Sequence, residues 1–247
     1  MKQAVLALST ATTLALVLAA CDGQPATPKL GELDPQAGKP VTSDTIKSEQ
    51  FRSWAPSERA AFLMGRVIAA DMLFRAGERE AAATQLEGLA NRLNASEDGS
   101  LQMLGFEPER IAVLSTGLEL GRAEEEVQPL FADAEANLSA ALAASGTAPE
   151  DTVTFLMQQS AEAYDLGVTY GEIDDAKAYQ AAFGFAVAAR DLISPLDPGV
   201  YGDLRLELDI LVLMWPSAGP LPGRTPPPEV RMSEQFARVK LALTMLP

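Results

Sequence analysis

Residues 177–192, KAYQAAFGFAVAARDL, decide the fold class of this chain. Their apolar positions recur four, three, four and three residues apart, at Ala178, Ala182, Phe185, Ala189 and Leu192. This spacing is typical of one narrow face of an α-helix. Since alanine side chains are small, a neighbouring helix can lie close to that face. The stretch therefore predicts a helix that packs tightly against another helix.

Helical spacing of apolar residues recurs through most of the chain after residue 55. The other predicted helices are 56–76, 78–93, 108–144 as one broken helix or as two with a turn near Gly121, 147–168 with a capping box of Thr147 and Glu150, and 228–245. Short connections between consecutive helices imply antiparallel hairpins. We therefore predict an all-α bundle of about six to eight helices in a single domain, residues 51–247.

Residues 203–215, DLRLELDILVLMW, fit two structures. Leucines that alternate with charges favour a strand, whereas Leu204, Leu208 and Leu211 also form one helix face. No partner strand is evident elsewhere, and a lone strand leaves its backbone groups unpaired. We therefore predict a helix.

Three local predictions accompany this bundle. Gly171 is expected to end a helix in the left-handed conformation, and Asp174 to cap the helix that follows. The core positions predicted for the last helix are Val230, Phe236, Val239, Leu241 and Leu243.

The N-terminus has the pattern of a secretory signal. Lys2 is the only charge before Cys21, and an interrupted apolar run leads to Leu18-Ala19-Ala20-Cys21. That run is too short for a transmembrane helix, which needs about 20 apolar residues. The four residues resemble the bacterial lipobox, whose cysteine is acylated after the signal is cleaved. We predict a signal peptide over residues 1–20 and lipidation of Cys21, the chain's one cysteine.

Residues 21–50 contain Pro25, Pro28, Pro35 and Pro40 among polar residues, and they are predicted to form a flexible lipidated tether. Several acyl chains on one cysteine give stable membrane attachment. The expected location is the bacterial cell envelope, facing the periplasm. Asp22 resembles a signal for retention in the inner membrane, but that rule varies among bacteria and leaves both membranes open.

Composition excludes several kinds of chemistry. The chain carries 34 Asp and Glu against 19 Lys and Arg, a formal net charge of −15, and no histidine. Such an acidic surface repels phosphates, so we expect no nucleic-acid partner. The lack of histidine excludes Ser-His-Asp triads and histidine-ligated zinc or haem. No phosphate-loop or calcium-loop motif is present, and we expect no cofactor.

Residues 161–193 resemble a known family. The matching positions are Tyr164, Val168, Gly171, Ile173, Tyr179, Phe183, Phe185 and Ala189. Their order and spacing resemble the helical extracytoplasmic domain attached to bacterial high-affinity iron permeases. The resemblance implies a helical fold and a part in iron acquisition. This chain has Ala178-Tyr179 where that pattern has Glu-Tyr, and it lacks the histidines of the family's earlier hairpin.

If a cation binds, its ligands must be hard oxygen atoms, so Fe(III), Ca²⁺ and Mg²⁺ are the candidates. The candidate ligands are Glu172, Asp174 and Asp175 beside Tyr164 and Tyr179. The same residues also fit a purely structural role, with the tyrosines bridging two antiparallel helices.

Two classes of function remain. The first is a lipid-anchored binding or accessory protein that engages a protein partner at the membrane, with iron or other cation acquisition as its alternative form. The second is a histidine-free enzyme that uses paired carboxylates such as Glu172 with Asp174 or Asp175. Asp71, within an apolar helix, is expected to pair with an arginine or to lie at an edge of the core. We favour the non-enzymatic class.

Replacing Cys21 with serine should abolish acylation and release the protein from the membrane fraction, because serine lacks the thiol that is acylated. Metabolic labelling with a fatty acid, followed by fractionation, measures both effects. Label that persists on the Cys21→Ser variant would contradict the lipobox interpretation.

Overall fold

A computed structural model describes residues 48–89 and 99–247, and these residues belong to one compact unit. The predicted signal peptide, Cys21 and most of the predicted tether lie outside the described residues. The tether is predicted to extend to residue 50, but the first helix already begins at Ser48.

The described residues form mainly helices and almost no strands, which confirms the predicted all-α bundle. The helices are α1 (Ser48–Ser53), α2 (Pro56–Arg75), α3 (Arg79–Leu86), α4 (Ser100–Met103), α5 (Pro108–Glu119), α6 (Glu124–Ala144), α7 (Pro149–Gly167), α8 (Ala176–Ile193), α9 (Pro198–Leu213) and α10 (Glu229–Thr244). Strands β1 (Val168–Thr169) and β2 (Glu172–Ile173) form one small hairpin. Within the described ranges, eight of the helices have eight or more residues.

Helix α2 is the centre of the bundle. It begins with Pro56 at its first position, and its C-cap Ala76 is followed by Gly77 at φ 86°, as the sequence predicts. Residues 59–63 are all buried, so the helix is covered on every side. It packs against α3, α6, α7 and α8. A helix that is buried on every side lies in the interior of a bundle.

Helix α8 lies closest to α2, at a crossing formed by two glycines. A Cβ at Gly184 would lie 2.8 Å from Cβ of Ala69, and a Cβ at Gly65 would lie 2.8 Å from Cε1 of Phe185. Both distances are well below van der Waals contact, so only glycine fits at either position. The predicted close helix pair is therefore confirmed, but glycines rather than alanines form its nearest contact.

The link between α7 and α8 differs from the prediction. Helix α7 ends at Gly167, and Val168 pairs with Ile173 in an antiparallel hairpin. Gly171 does have a positive φ, 78°, but it stands with Tyr170 (φ 53°) in the two-residue turn of that hairpin. Turns of this type require a positive φ at both central residues. Gly171 is thus a turn residue and not a helix cap.

The structure also places the starts of two helices at other residues than predicted. Asp175, not Asp174, caps α8, and its Oδ1 accepts a hydrogen bond from the amide of Ala178 at 3.0 Å. The capping box of Thr147 and Glu150 is wrong, because Pro149 occupies the first position of α7 and Ala148 becomes the N-cap. Proline has a fixed φ that suits the first helical turn.

The remaining boundaries support or correct single predictions. Helix α3 ends at Leu86, several residues before the predicted end, and Gly88 has φ 74°. Residues 108–144 form two helices that turn at Gly121 (φ 63°), the second of the two predicted arrangements.

The two C-terminal helices complete the bundle. Residues 198–213 are helical, which confirms the helix predicted for 203–215. The predicted core of α10 is partly wrong, since Val230 and Leu241 are exposed while Val239 is buried. The buried face instead contains Met232, Gln235, Val239 and Ala242. Gln235 is accommodated there because its Nε2 donates to the backbone oxygen of Glu207 at 2.8 Å.

Replacing Gly184 with alanine should lower the free energy of unfolding by about 2 kcal/mol or more, since overpacking a tight contact is costly. Gly202→Ala in α9 is the matched control, because nothing lies within 4 Å of the site of its Cβ. There, alanine should stabilise the helix by up to about 1 kcal/mol. Thermal melts of both variants measure the difference, and equal melting temperatures would show that the crossing is looser than described.

Candidate functional site

A cleft opens on one side of α2, between α6 and α8. Both helices pack against α2, while little contact joins them directly. Two adjoining cavities of about 360 and 280 Å³ occupy the gap, and both are lined by Ile68 and Asp191. The larger is also lined by Met72, Phe183 and Val187, so apolar side chains form part of its surface.

Charged side chains meet in the larger cavity. Arg75 Nε donates to Oδ2 of Asp71 at 2.7 Å, which agrees with the arginine partner predicted for Asp71. On α8, Arg190 pairs with Asp191 at 2.8 Å. The side chain of Asp71 is only 14 % exposed, and its other oxygen, Oδ1, is buried without a hydrogen-bond partner. A buried acceptor without a donor is rare, because leaving it unpaired costs free energy.

Glu135 of α6 faces this cluster from the opposite wall. Burial raises its pKa to about 7, with further contributions from the negative charges of Asp71 and Asp191, while Arg75 opposes the shift. A carboxyl group in a partly apolar cleft beside like charges prefers its neutral form. Glu135 therefore changes charge near neutral pH, unlike an ordinary surface glutamate.

A second concave surface, which we call the α7/α10 groove, lies between the antiparallel helices α7 and α10. Its volume is about 620 Å³, within the range of pockets that bind ligands. The apolar part of its lining consists of Met157, Ala161, Phe236, Ala237 and Leu243. The polar part consists of Glu150, Asp151, Thr154, Gln158, Lys240 and Thr244.

An exposed apolar side chain adjoins the groove. Leu241 on α10 is 60 % exposed. Leu241 follows Ala237 by one helical turn and therefore lies beside the groove. Contiguous apolar surface at a concave site is typical of a surface that binds another molecule.

The two tyrosines predicted as possible ligands are core residues. Tyr164 and Tyr179 are buried, with ring centroids 6.0 Å apart, and both contact Trp215. The Tyr164 hydroxyl donates to the backbone oxygen of Pro227. Burial raises the pKa of both hydroxyls, so they remain protonated at neutral pH. A phenolate ligand for iron is thereby disfavoured at this position.

The predicted carboxylate ligands do not share the buried environment of these tyrosines. Glu172 and Asp174 are exposed on and beside the β-hairpin, and Asp175 is engaged as the cap of α8. In residues 48–89 and 99–247, no group of three or more acidic or cysteine side chains is placed to hold a metal ion.

The sequence did not indicate the cleft or the α7/α10 groove. Glu135 lies in a polar stretch of α6, and its environment depends on α2 and α8, which are distant in sequence. The α7/α10 groove likewise arises from the pairing of distant helices. One signal was present, since Asp71 within an apolar helix indicated a buried partner. The acidic run Glu124–Glu126 is exposed.

No family model, curated protein or solved structure matches this chain. The resemblance of residues 161–193 to the iron-permease domain therefore stays a prediction from those residues. None of the helices in the described part of the chain combines the length and apolar character needed to cross a bilayer. The lipidation of Cys21 stays a prediction as well.

Calorimetry of the metal-free domain with Fe(III), Ca²⁺ and Mg²⁺ should show no binding tighter than about micromolar, because exposed carboxylates remain hydrated. The paired variant Asp174→Ala with Asp175→Ala should give the same flat titration. A stoichiometric isotherm that this double variant abolishes would contradict the expectation and favour the iron-linked alternative.

Proposed function

We propose that this protein is a lipid-anchored binding or accessory protein of the bacterial cell envelope, and that its α7/α10 groove binds an amphipathic helix of a protein partner at the membrane. The observation that carries this proposal is the groove itself, with its apolar lining and polar rim. Amphipathic helices bind in such grooves through apolar residues spaced three and four apart.

The dimensions of the groove agree with this partner. Its lining on α7 runs from Glu150 to Ala161, a rise of about 16 Å along the helix. That length corresponds to about three helical turns. A partner helix of this length presents three or four apolar side chains to Met157 and Phe236.

Charge favours a partner with basic residues beside its apolar stripe. Glu150 and Asp151 stand at one end of the groove, and the whole chain has a formal net charge of −15. Complementary charge accelerates the encounter of two proteins and limits the choice of partner. Lys240 supplies the one cation in the lining and orients the partner helix by pairing with an acidic residue.

The proposed anchor fits the proposed role. A lipid on Cys21 and the tether that follows it hold the domain near the membrane surface, where a partner is locally concentrated. The proposed location is the periplasmic side of the envelope, with either membrane as the site of attachment.

The same observations give less support to the two alternative functions. Iron or other cation acquisition rests on the resemblance of residues 161–193, whose tyrosines are in the core. A histidine-free enzyme needs carboxylates free to transfer protons. In the cleft, Asp71 and Asp191 are each paired with an arginine, which favours a structural role for them.

The test is site-specific photo-cross-linking in the full lipoprotein, with a photoreactive residue at Gln158 in the groove. A partner segment should be captured, and mass spectrometry should place the cross-link on an apolar stripe of a helix. A synthetic peptide of that segment should then bind the purified domain directly.

Two variants sharpen this experiment. Ala161→Trp and Ala237→Trp fill the groove and should weaken peptide binding by about tenfold or more, since each displaces part of the apolar contact. Ala136→Trp, at an exposed position on α6, is the matched control and should bind normally. Equal binding by all three variants would exclude the groove as the binding site.

A further inference from the structure

Asp71 and Glu135 face each other across the cleft. Their carboxyl groups can form a hydrogen bond only when one of them carries a proton. Oδ2 of Asp71 already accepts from Arg75, and Oδ1 has no donor. An ionised Glu135 cannot donate a hydrogen bond, but a neutral carboxyl group can. Glu135 is on α6 and Asp71 is on α2, so such a bond would join two helices.

We propose that Glu135 and Asp71 form a proton-operated latch: protonated Glu135 donates to Oδ1 of Asp71 and holds α6 against α2, whereas ionised Glu135 is repelled and the cleft widens. The proton comes from solvent, to which the cleft is open. Carboxyl–carboxylate hydrogen bonds are short and strong because one partner is charged.

The surrounding charges favour this behaviour. From α2, Asp71 and Arg75 face Glu135, and from α8, Arg190 and Asp191 face the same cavity. Both arginines are already bonded to an aspartate of their own helix. Two charged residues of α5, Glu109 and Arg110, lie beside Asp133 at a separate cavity. Glu135 therefore has like charges on both sides, and the one cation that opposes them, Arg75, is already bonded to Asp71.

The direction of the pH effect follows from the pKa of Glu135, which rises from 4.5 to about 7 on folding. The folded protein binds this proton more tightly than the unfolded chain does. Its contribution to stability is therefore complete below about pH 4.5 and is lost as the pH rises through about 7. The latch is closed in mildly acidic solution and open in mildly alkaline solution.

The arrangement of the helices makes α6 the part that moves. Helix α6 contacts α2 and its hairpin partner α5, and little contact joins it to α8. The two cavities already separate it from α8. Repulsion at Glu135 thus acts on a helix that can shift outward without disturbing the tight crossing of α2 and α8.

Hydrogen exchange of the full protein at several pH values tests the latch. After correction for the intrinsic exchange rate, protection of the α6 amides around Glu135 should fall by about tenfold or more between about pH 5.5 and pH 8.5. In Glu135→Gln, whose side chain can donate at every pH, protection should be nearly independent of pH. Glu125→Gln, at an exposed position of α6, is the matched control and should behave like the wild type.

A second measurement tests whether Asp71 is a group that acts on Glu135. Carbon-13 NMR of labelled glutamate should show Glu135 titrating near pH 7, and Asp71→Asn should lower that midpoint towards the ordinary value for glutamate. The latch is overturned if Glu135→Gln keeps the pH dependence of the wild type, or if Asp71→Asn leaves the midpoint unchanged.

Discussion

The close crossing of α2 and α8 is the contact on which the rest of the structure depends. Gly65 and Gly184 have no side chains, so the two backbones approach within a distance that any Cβ would prevent. The rings of Phe62 and Phe185 contact each other beside the crossing, with centroids 5.3 Å apart and planes tilted by 35°. With these two helices fixed, the other long helices have a common surface against which to pack.

That arrangement also explains where concave surfaces arise. Because α6 and α8 both rest on α2 without packing together, a cleft remains between them, and a charged cluster on three helices borders it. The α7/α10 groove has a comparable origin, since α10 is held mainly by α9 and contacts α7 less extensively. Both sites are gaps between helices that share a neighbour.

Helical spacing in the sequence was sufficient to predict the all-α fold and most helices, because burial of one face repeats with the turn of the helix. It was insufficient where polar residues take buried positions. Gln235 is buried in α10 because its side-chain amide donates a hydrogen bond to a backbone oxygen of α9, and the buried face of α10 is accordingly rotated from the predicted one. Glycines at the crossing and Glu135 in the cleft acquire their roles only from residues far along the chain.

The central position of α2 has a consequence for how the chain reaches its folded state. Gly65 meets Gly184 about 120 residues later in the sequence, so the helix that organises the bundle is made long before its closest partner. Until α8 emerges, an apolar helix remains uncovered on several sides, and such surface promotes aggregation. Synthesis from the N-terminus therefore leaves α2 without its closest partner until most of the chain has been made, and a factor that shields α2 during that interval would raise the yield of folded protein.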